Sequence, residues 1–301
     1  MNSTPDIGLV LCGGGGRGAY QIGVWQALNE LGLNRYINGV SGTSAGALNA
    51  ALFACGNISL AENVWTSLRR QDITDPAETA GRMLFGVMNF LGSDNRTIDL
   101  PDPERAARAG IFSSQGLIGK IEDNGVNSCV SGCGMPCFAC CHNSDTGRAE
   151  YFDMSAYPPD RITDILTAST AIPAVFPAKE IGGIFYRDGG LSDNTPIKPL
   201  YDIGFRKFIV SYLGSVSADL SEFPDADFLE LYPSDKILLG KNEGRLLKAG
   251  TLDFDGGNAA LRIELGRTET LETSVHFSAN GLWNNPATAA QNTCKTTGGV
   301  V

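Results

Sequence analysis

Three short stretches of this 301-residue chain carry side chains and backbone suited to covalent chemistry. Gly42-Thr43-Ser44-Ala45-Gly46 fits the pattern G-x-S-x-G. A serine attacks well only when its hydroxyl stands clear of the backbone on a sharp strand-to-helix turn. Flanking glycines remove the Cβ atoms that would clash in such a turn. A helix beginning just after the serine also brings its N-terminal dipole to the place where negative charge develops. Gly13-Gly14-Gly15-Gly16-Arg17-Gly18 is the second stretch. Consecutive glycines let main-chain N–H groups converge on one point, which is what an oxyanion requires. The same run matches the dinucleotide fingerprint G-x-G-x-x-G at Gly13, Gly15 and Gly18. That reading demands an acidic residue about 20 positions further on, where the chain offers Val40 and Ser41.

A serine hydroxyl needs a base. Asp188, in Tyr186-Arg187-Asp188-Gly189-Gly190, follows an apolar stretch and precedes the loop Leu191–Pro196. A carboxylate at a strand end beside glycine backbone can reach a neighbouring loop. An ordinary Asp, with a pKa of about 3.9, is a weak base, so desolvation and a direct hydrogen bond must assist it. The plainer reading is that Asp188 only caps a turn. The chain has two histidines, His142 and His276. The order Ser44, Asp188, His276 suits an α/β-hydrolase triad, although His276 sits in a weakly patterned segment with no glycine turn to aim it. On these residues both a dyad and a triad stay open.

Cys129, Cys133, Cys137, Cys140 and Cys141, followed by His142, suggest a zinc site. Against it, Pro136 to His142 reads as a buried strand. Cys137 and Cys141 would share a face yet stand ~13 Å apart at ~3.3 Å per residue, too far for two Zn–S bonds of about 2.3 Å to one ion. Buried reduced thiols and no metal are the expectation; Cys129 and Cys133, in a glycine-rich turn, are left open.

The elements that must position these groups are legible in part. Ile7–Cys12 is apolar on both faces and reads as a central strand ending in glycines. Ala19–Leu31 places Tyr20, Val24, Ala27, Leu28 and Leu31 on one helical face, with Gly32 as a stop. Ile37–Ser41 is a second strand, and Ala47–Cys55 a strongly helix-forming apolar run closed by Gly56. Strand, glycine loop and helix thus occur twice in the first 56 residues, which argues for a mostly parallel sheet with helices on its faces. Further strands are expected at Met135–Cys141, Gly183–Tyr186, Phe208–Leu213 and Phe228–Leu231. Met83–Leu91 reads either as a core helix or as a lid whose apolar face meets lipid.

Composition narrows the class. With 23 Lys+Arg against 33 Asp+Glu the formal net charge is −10, so the basic footprint of a nucleic-acid binder is missing. An acidic chain also gains no general attraction to anionic membrane surfaces; contact with lipid would need a local patch. Met1–Leu11 lacks the charged-then-apolar pattern of a secretory leader, and no run reaches the ~18 apolar residues of a membrane span. A cytoplasmic protein that makes transient, peripheral contact with membrane surfaces is expected. No linker or repeat divides the chain, so 1–285 is expected to form a single domain and 286–301 a loosely ordered polar tail.

The three motifs, in this order, resemble those of the patatin-like phospholipases. Gly13–Gly18 is similar to that family's G-G-G-x-[K/R]-G segment, Gly42–Gly46 to its serine elbow, and Asp188-Gly189-Gly190 to its D-G-[GA] motif. Asp145-Thr146-Gly147 and Ala168–Pro177 also look like family stretches. The likeness covers Ile7 to Ile197, and more loosely extends to about Gly266. It implies an α/β three-layer sandwich, with a central, mostly parallel sheet flanked by helices. It implies a Ser44–Asp188 dyad with no catalytic histidine and no metal or cofactor, acting on acyl esters of glycerophospholipids through an acyl-enzyme. Gly42 and Gly46 would shape the elbow. Amides of Gly14, Gly15 and Gly16 would hold the oxyanion, with Arg17 reinforcing that loop. A non-catalytic lipid- or partner-binding protein on the same fold, or an acyltransferase using the same dyad, are the alternatives. The resemblance says nothing about oligomeric state.

Overall fold

The apolar run that begins at Ile7 becomes the middle of a sheet. A computed structural model describes residues 6–69, 115–173, 176–239, 250–251 and 253–278. Met83–Leu91 and the tail 286–301 lie outside the described residues. Within them the chain runs β1 (Ile7–Leu11), α1 (Ala19–Glu30), β2 (Ile37–Thr43), α2 (Ala45–Ala54), α3 (Ile58–Thr66), α4 (Gln115–Asp123), α5 (Val126–Val130), β3 (Cys137–Asn143) and β4 (Arg148–Asp153). It continues through α6 (Pro159–Ser169), β5 (Lys179–Ile181), β6 (Ile184–Asp188), α7 (Lys198–Asp202), β7 (Lys207–Ser211), β8 (Asp227–Leu231) and α8 (Gly256–Ser278).

The strands form one mixed sheet in the order β5-β6-β3-β2-β1-β7-β8, with β4 also paired to β3. The pairings β1–β2, β1–β7, β2–β3 and β7–β8 are parallel; β3–β4, β3–β6 and β5–β6 are antiparallel. A parallel strand must bury both faces, and β1 does. Ile7, Leu9 and Leu11 enter a large core shared with α1, α2, α3, α4, α5, α6 and α8, while Val10 packs on the opposite side with Leu200 of α7, Phe208, Val210 and Phe223. The layers are therefore unequal. One face carries most of the helical mass and the other is covered by a five-residue helix and the loop around Phe223.

α1 is apolar nearly all round because it is enclosed between the sheet and α8. The two helices meet at two glycines: a Cβ on Gly23 would stand 1.8 Å from the Ile263 carbonyl oxygen, and one on Gly266 2.1 Å from that of Tyr20. Backbone-to-backbone approach of this kind explains a glycine inside a helix, where it would otherwise be unfavourable. Among the described residues no helix is long and apolar enough to cross a membrane.

Two substitutions separate packing from propensity. Gly23→Ala is expected to destabilise the fold by roughly 1–3 kcal/mol through overpacking. Gly119→Ala, in α4, where an added Cβ meets nothing within 4 Å, should stabilise by roughly 0.5–1 kcal/mol. Urea unfolding of both variants checks the signs.

Candidate active site

β3 acts as a shared edge. Its residues Cys137–Cys140 pair with Val40–Thr43 of β2, and its next three, Cys141–Asn143, pair with Asp188–Tyr186 of β6. β4 pairs along Phe138–Asn143 and so occupies the other edge, which places β2 and β6 end to end on the same one. β2 finishes with Thr43 opposite Cys140, and β6, running the other way, finishes with Asp188 opposite Cys141. The sheet thereby brings Ser44 and Asp188 together from positions 144 apart in the chain.

The serine turn is strained. Ser44 has φ 56° and ψ −123°, and it is the only non-glycine residue with positive φ among the described residues. Such a conformation costs of order 1–3 kcal/mol and persists only when its surroundings enforce it. Here the enforcement is close packing. A Cβ on Gly42 would stand 2.1 Å from the Gly46 carbonyl oxygen, and one on Gly46 2.0 Å from that of Leu11. α2 therefore starts hard against β1 and β2, as the spacing of the two glycines predicts. The Ser44 N–H donates to Ser169 Oγ (3.0 Å), whose own hydroxyl donates to the Cys140 carbonyl (2.7 Å).

Ser169 is buried and ties the turn to β3. Two residues later the Ala171 carbonyl accepts the Asp188 N–H (3.0 Å). Ser169 and Ala171, within the Ala168–Pro177 motif, thus hold Ser44 and Asp188 respectively, although the motif alone does not say which atom does so. The loop after Asp188 is fastened in the same way. Thr43 Oγ1–H donates to the Asp193 carbonyl (2.9 Å), Tyr151 O–H to Asp193 Oδ2 (2.7 Å), and Ser41 Oγ–H to the Pro196 carbonyl (2.6 Å). Asp145–Gly147 forms the β3–β4 hairpin, where Asn143 Oδ1 accepts the N–H groups of Asp145 and Thr146.

Asp188 is buried, and its pKa is raised from 3.8 to about 6. Desolvation is the main cause; the Ser44 hydroxyl and the Gly190 N–H, which donates to Oδ1 (2.8 Å), pull the other way. Oδ2 is buried and no donor meets it in hydrogen-bond geometry. The carboxyl and the Ser44 hydroxyl are thus close enough to influence each other without a closed hydrogen bond, a looseness common in unliganded sites.

The glycine run packs directly on this pair: a Cβ on Gly13 would stand 3.2 Å from that of Ser44. The structure narrows the expected set of oxyanion amides. Gly16 N–H donates to the Thr251 carbonyl (2.8 Å) and Arg17 N–H to the Gly14 carbonyl (3.3 Å), so both are already engaged. The amides of Gly14 and Gly15 meet no acceptor among the described residues. Arg17 is buried and braces the loop from within, donating to the carbonyls of Leu213 (2.6 Å) and Gly14 (3.2 Å). Arg262 of α8, fully buried and paired with Asp253 (2.8 Å), donates to the Gly16 carbonyl (3.4 Å). His142, the histidine on β3, meets the Ser192 hydroxyl, and its pKa is lowered by burial and by the Arg187 charge. His276 falls in the last turn of α8, and its side chain is outside those described.

A mixed α/β sheet with a strained serine turn, a glycine loop and a buried carboxyl close together defines a class of serine-containing α/β proteins. The chain belongs to the patatin-like phospholipase family, whose model matches residues 9–201. It is 31% identical over 212 residues to the lysophospholipase NTE1 of Cryptococcus neoformans var. neoformans, covering 70% of this chain and 11% of that protein. An uncharacterized NTE family protein of Mycobacterium tuberculosis, Rv1063c, is 28% identical over 199 residues, 66% of this chain and 46% of that one. The chain thus spans between about a tenth and a half of these curated relatives. Among solved structures, VipD from Legionella pneumophila superposes with a TM-score of 0.50 at 16% identity, covering 89% of this chain and 66% of that chain, a likeness of fold.

The buried carboxyl and the elbow each yield a stability prediction. With its folded pKa about 6 against 3.8 unfolded, Asp188 binds a proton more tightly in the native state. It is stability-neutral below about pH 4 and destabilising above about pH 6, by about 3 kcal/mol at ~1.4 kcal/mol per pH unit. Asp188→Asn is accordingly expected to be more stable than wild type at pH 8 and equal to it near pH 4 in urea unfolding. Ser169→Ala leaves the buried Ser44 N–H without an acceptor and should cost roughly 1–3 kcal/mol at either pH.

Proposed function

We propose that this chain is a serine lipid acyl hydrolase that cleaves fatty-acyl esters of glycerophospholipids, with Ser44 as nucleophile and Asp188 as its base. The observation that carries this reading is the meeting of β2 and β6 on β3, which sets a strained serine beside a desolvated carboxyl. A carboxyl with a pKa near 6 is ionised at neutral pH, yet is a stronger base than an ordinary Asp. Asp188 takes the proton as Ser44 Oγ attacks the ester carbonyl. The amides of Gly14 and Gly15 receive the charge on the carbonyl oxygen, and the N-terminal end of α2 adds its dipole. The leaving alcohol recovers the proton from Asp188. Water, deprotonated by the same carboxylate, then releases the fatty acid from Ser44.

The family relationship and the lysophospholipase among the relatives support a lipid ester as the substrate. Contact with a lipid surface would then be needed to reach it, and Leu191, exposed in the loop directly after the Asp188 motif, is suited to such contact.

The test is release of free fatty acid from lysophospholipid and diacyl phospholipid in mixed micelles, followed by mass spectrometry. Ser44→Ala and Asp188→Asn should abolish release, while His276→Ala should retain most of it; the converse would replace the dyad by a triad. Because the base must be ionised, kcat/KM should rise about tenfold per pH unit below pH ~6 and level off above it. Acyl groups found on an added alcohol rather than in free acid would identify a transferase instead.

A further inference from the structure

Four cysteines from separate parts of the chain gather at the far end of α2. Cys55 follows the last residue of that helix, Cys129 lies on α5, Cys133 follows in the next turn, and Cys137 opens β3. The expected glycine-rich turn holds Cys133 but not Cys129: Val126–Val130 is helical and packs on α2. Cys55 Sγ donates to the Val126 carbonyl (3.5 Å), and Cys129 lies one helical turn beyond that residue. Cys133 Sγ donates to the Met135 carbonyl (3.4 Å). Among the described residues no group of three or more cysteine, histidine or acidic side chains is arranged to hold a metal ion. What the cluster does contain is a pair of thiols of unlike exposure brought to one helical turn: Cys55 Sγ sits on the Val126 carbonyl of α5, and Cys129 projects from the next turn of the same helix, near enough for each sulfur to feel the other. Cys129 is open to solvent, Cys55 is half-buried beneath it, and both are free.

We infer that Cys129 and Cys55 form a peroxide-oxidisable dithiol, with Cys129 the sulfur attacked first and Cys55 the one that resolves it into a disulfide. An exposed thiol with a second thiol in contact is the arrangement in which a sulfenic acid is captured before it is oxidised further. In the first step the Cys129 thiolate attacks one oxygen of a hydroperoxide. The O–O bond breaks, an S–OH group forms, and the alkoxide or hydroxide leaves with the thiol's proton. In the second, Cys55 sulfur attacks the Cys129 sulfur and the S–S bond forms. The hydroxyl departs with the Cys55 proton as water. Two thiols and one hydroperoxide thus yield one disulfide, one water and one alcohol, or a second water when the oxidant is hydrogen peroxide.

The order of attack follows from the surroundings. Burial, and then the neighbouring Cys129 sulfur, keeps Cys55 protonated, so it is a poor first nucleophile. Cys137, Cys140 and Cys141 are fully buried, and burial holds each of them in the thiol form. The bond would join the end of α2 to α5, about 15 Å along the helix from the Ser44 turn at ~1.5 Å per residue. It needs nothing from the proposed hydrolysis, and the two readings stand or fall separately.

The test is carried out on the full wild-type chain. The protein is reduced, exchanged into buffer without thiol, treated with a small excess of hydrogen peroxide, quenched with iodoacetamide and digested. The cross-linked peptides are then sequenced by tandem mass spectrometry. A Cys55–Cys129 link that dithiothreitol reverses is the expected product, and Cys55→Ser should instead leave Cys129 as a dimedone-reactive sulfenic acid. Unlinked Cys129 carried to the sulfinic acid in the wild type, a link from Cys55 to Cys133 or Cys137, or full alkylation of both thiols after peroxide would each overturn the inference.

Discussion

The structure depends on holding an unpaired carboxyl away from water beside a serine whose backbone would rather be elsewhere. Among the described residues no cation balances Asp188; its stabilisation comes from one backbone N–H and the nearby serine hydroxyl. Both groups are only marginally exposed, Ser44 at 5% and Asp188 at 6%. Neither condition is favourable in isolation, since burying a charge and occupying a left-handed backbone region each oppose folding. Both persist because β3 fixes where β2 and β6 end, and because hydrogen bonds donated to the Ser169 hydroxyl and the Ala171 and Asp193 carbonyls leave neither terminus room to relax.

The remainder of the fold can be understood as the support this arrangement requires. One face of the sheet carries a continuous apolar core shared with seven helices, and α1 and α8 meet there through glycines at backbone contact. The glycine loop is then braced from behind by two buried guanidinium groups, Arg17 and Arg262, both donating to main-chain carbonyls. Among the described residues the amides of Gly16 and Arg17 are bonded within the protein, and those of Gly14 and Gly15 are not. Rigidity of this sort means that few main-chain groups need to reorganise when charge develops nearby, the general basis of electrostatic preorganisation.

Much of this was legible in the residues, and for physical reasons. A strand buried on both faces and apolar throughout, as β1 is, stands out; the short apolar runs within β2, β7 and β8 also mark those strands, and the predicted strands at Met135–Cys141 and Gly183–Tyr186 match β3 and β6 to within two residues. The elbow glycines are required by contacts under about 2.2 Å, which is why their spacing is informative. β4 was not predicted because none of its residues is fully buried and the chain there is polar; β5 has three residues and no pattern. α8, at 23 residues, escaped notice since it docks through Gly266, Ala259 and Ile263 rather than through an apolar stripe. The role of Ser169, the engagement of Gly16 by Thr251 and the meeting of Cys55 with Cys129 all join positions at least 74 apart. Local spacing carries no trace of such contacts.

The edge shared by β2 and β6 has an evolutionary corollary. The serine turn and the glycine loop lie on the rim where β2 and β1 end, whereas the connections entering β2 and β7, at Asn34–Tyr36 and Gly204–Arg206, lie on the opposite one. Additions to those connections would leave the geometry of the reactive rim undisturbed. A unit divided in this way can be grafted into much larger polypeptides, as the small share of its relatives' length that it accounts for illustrates.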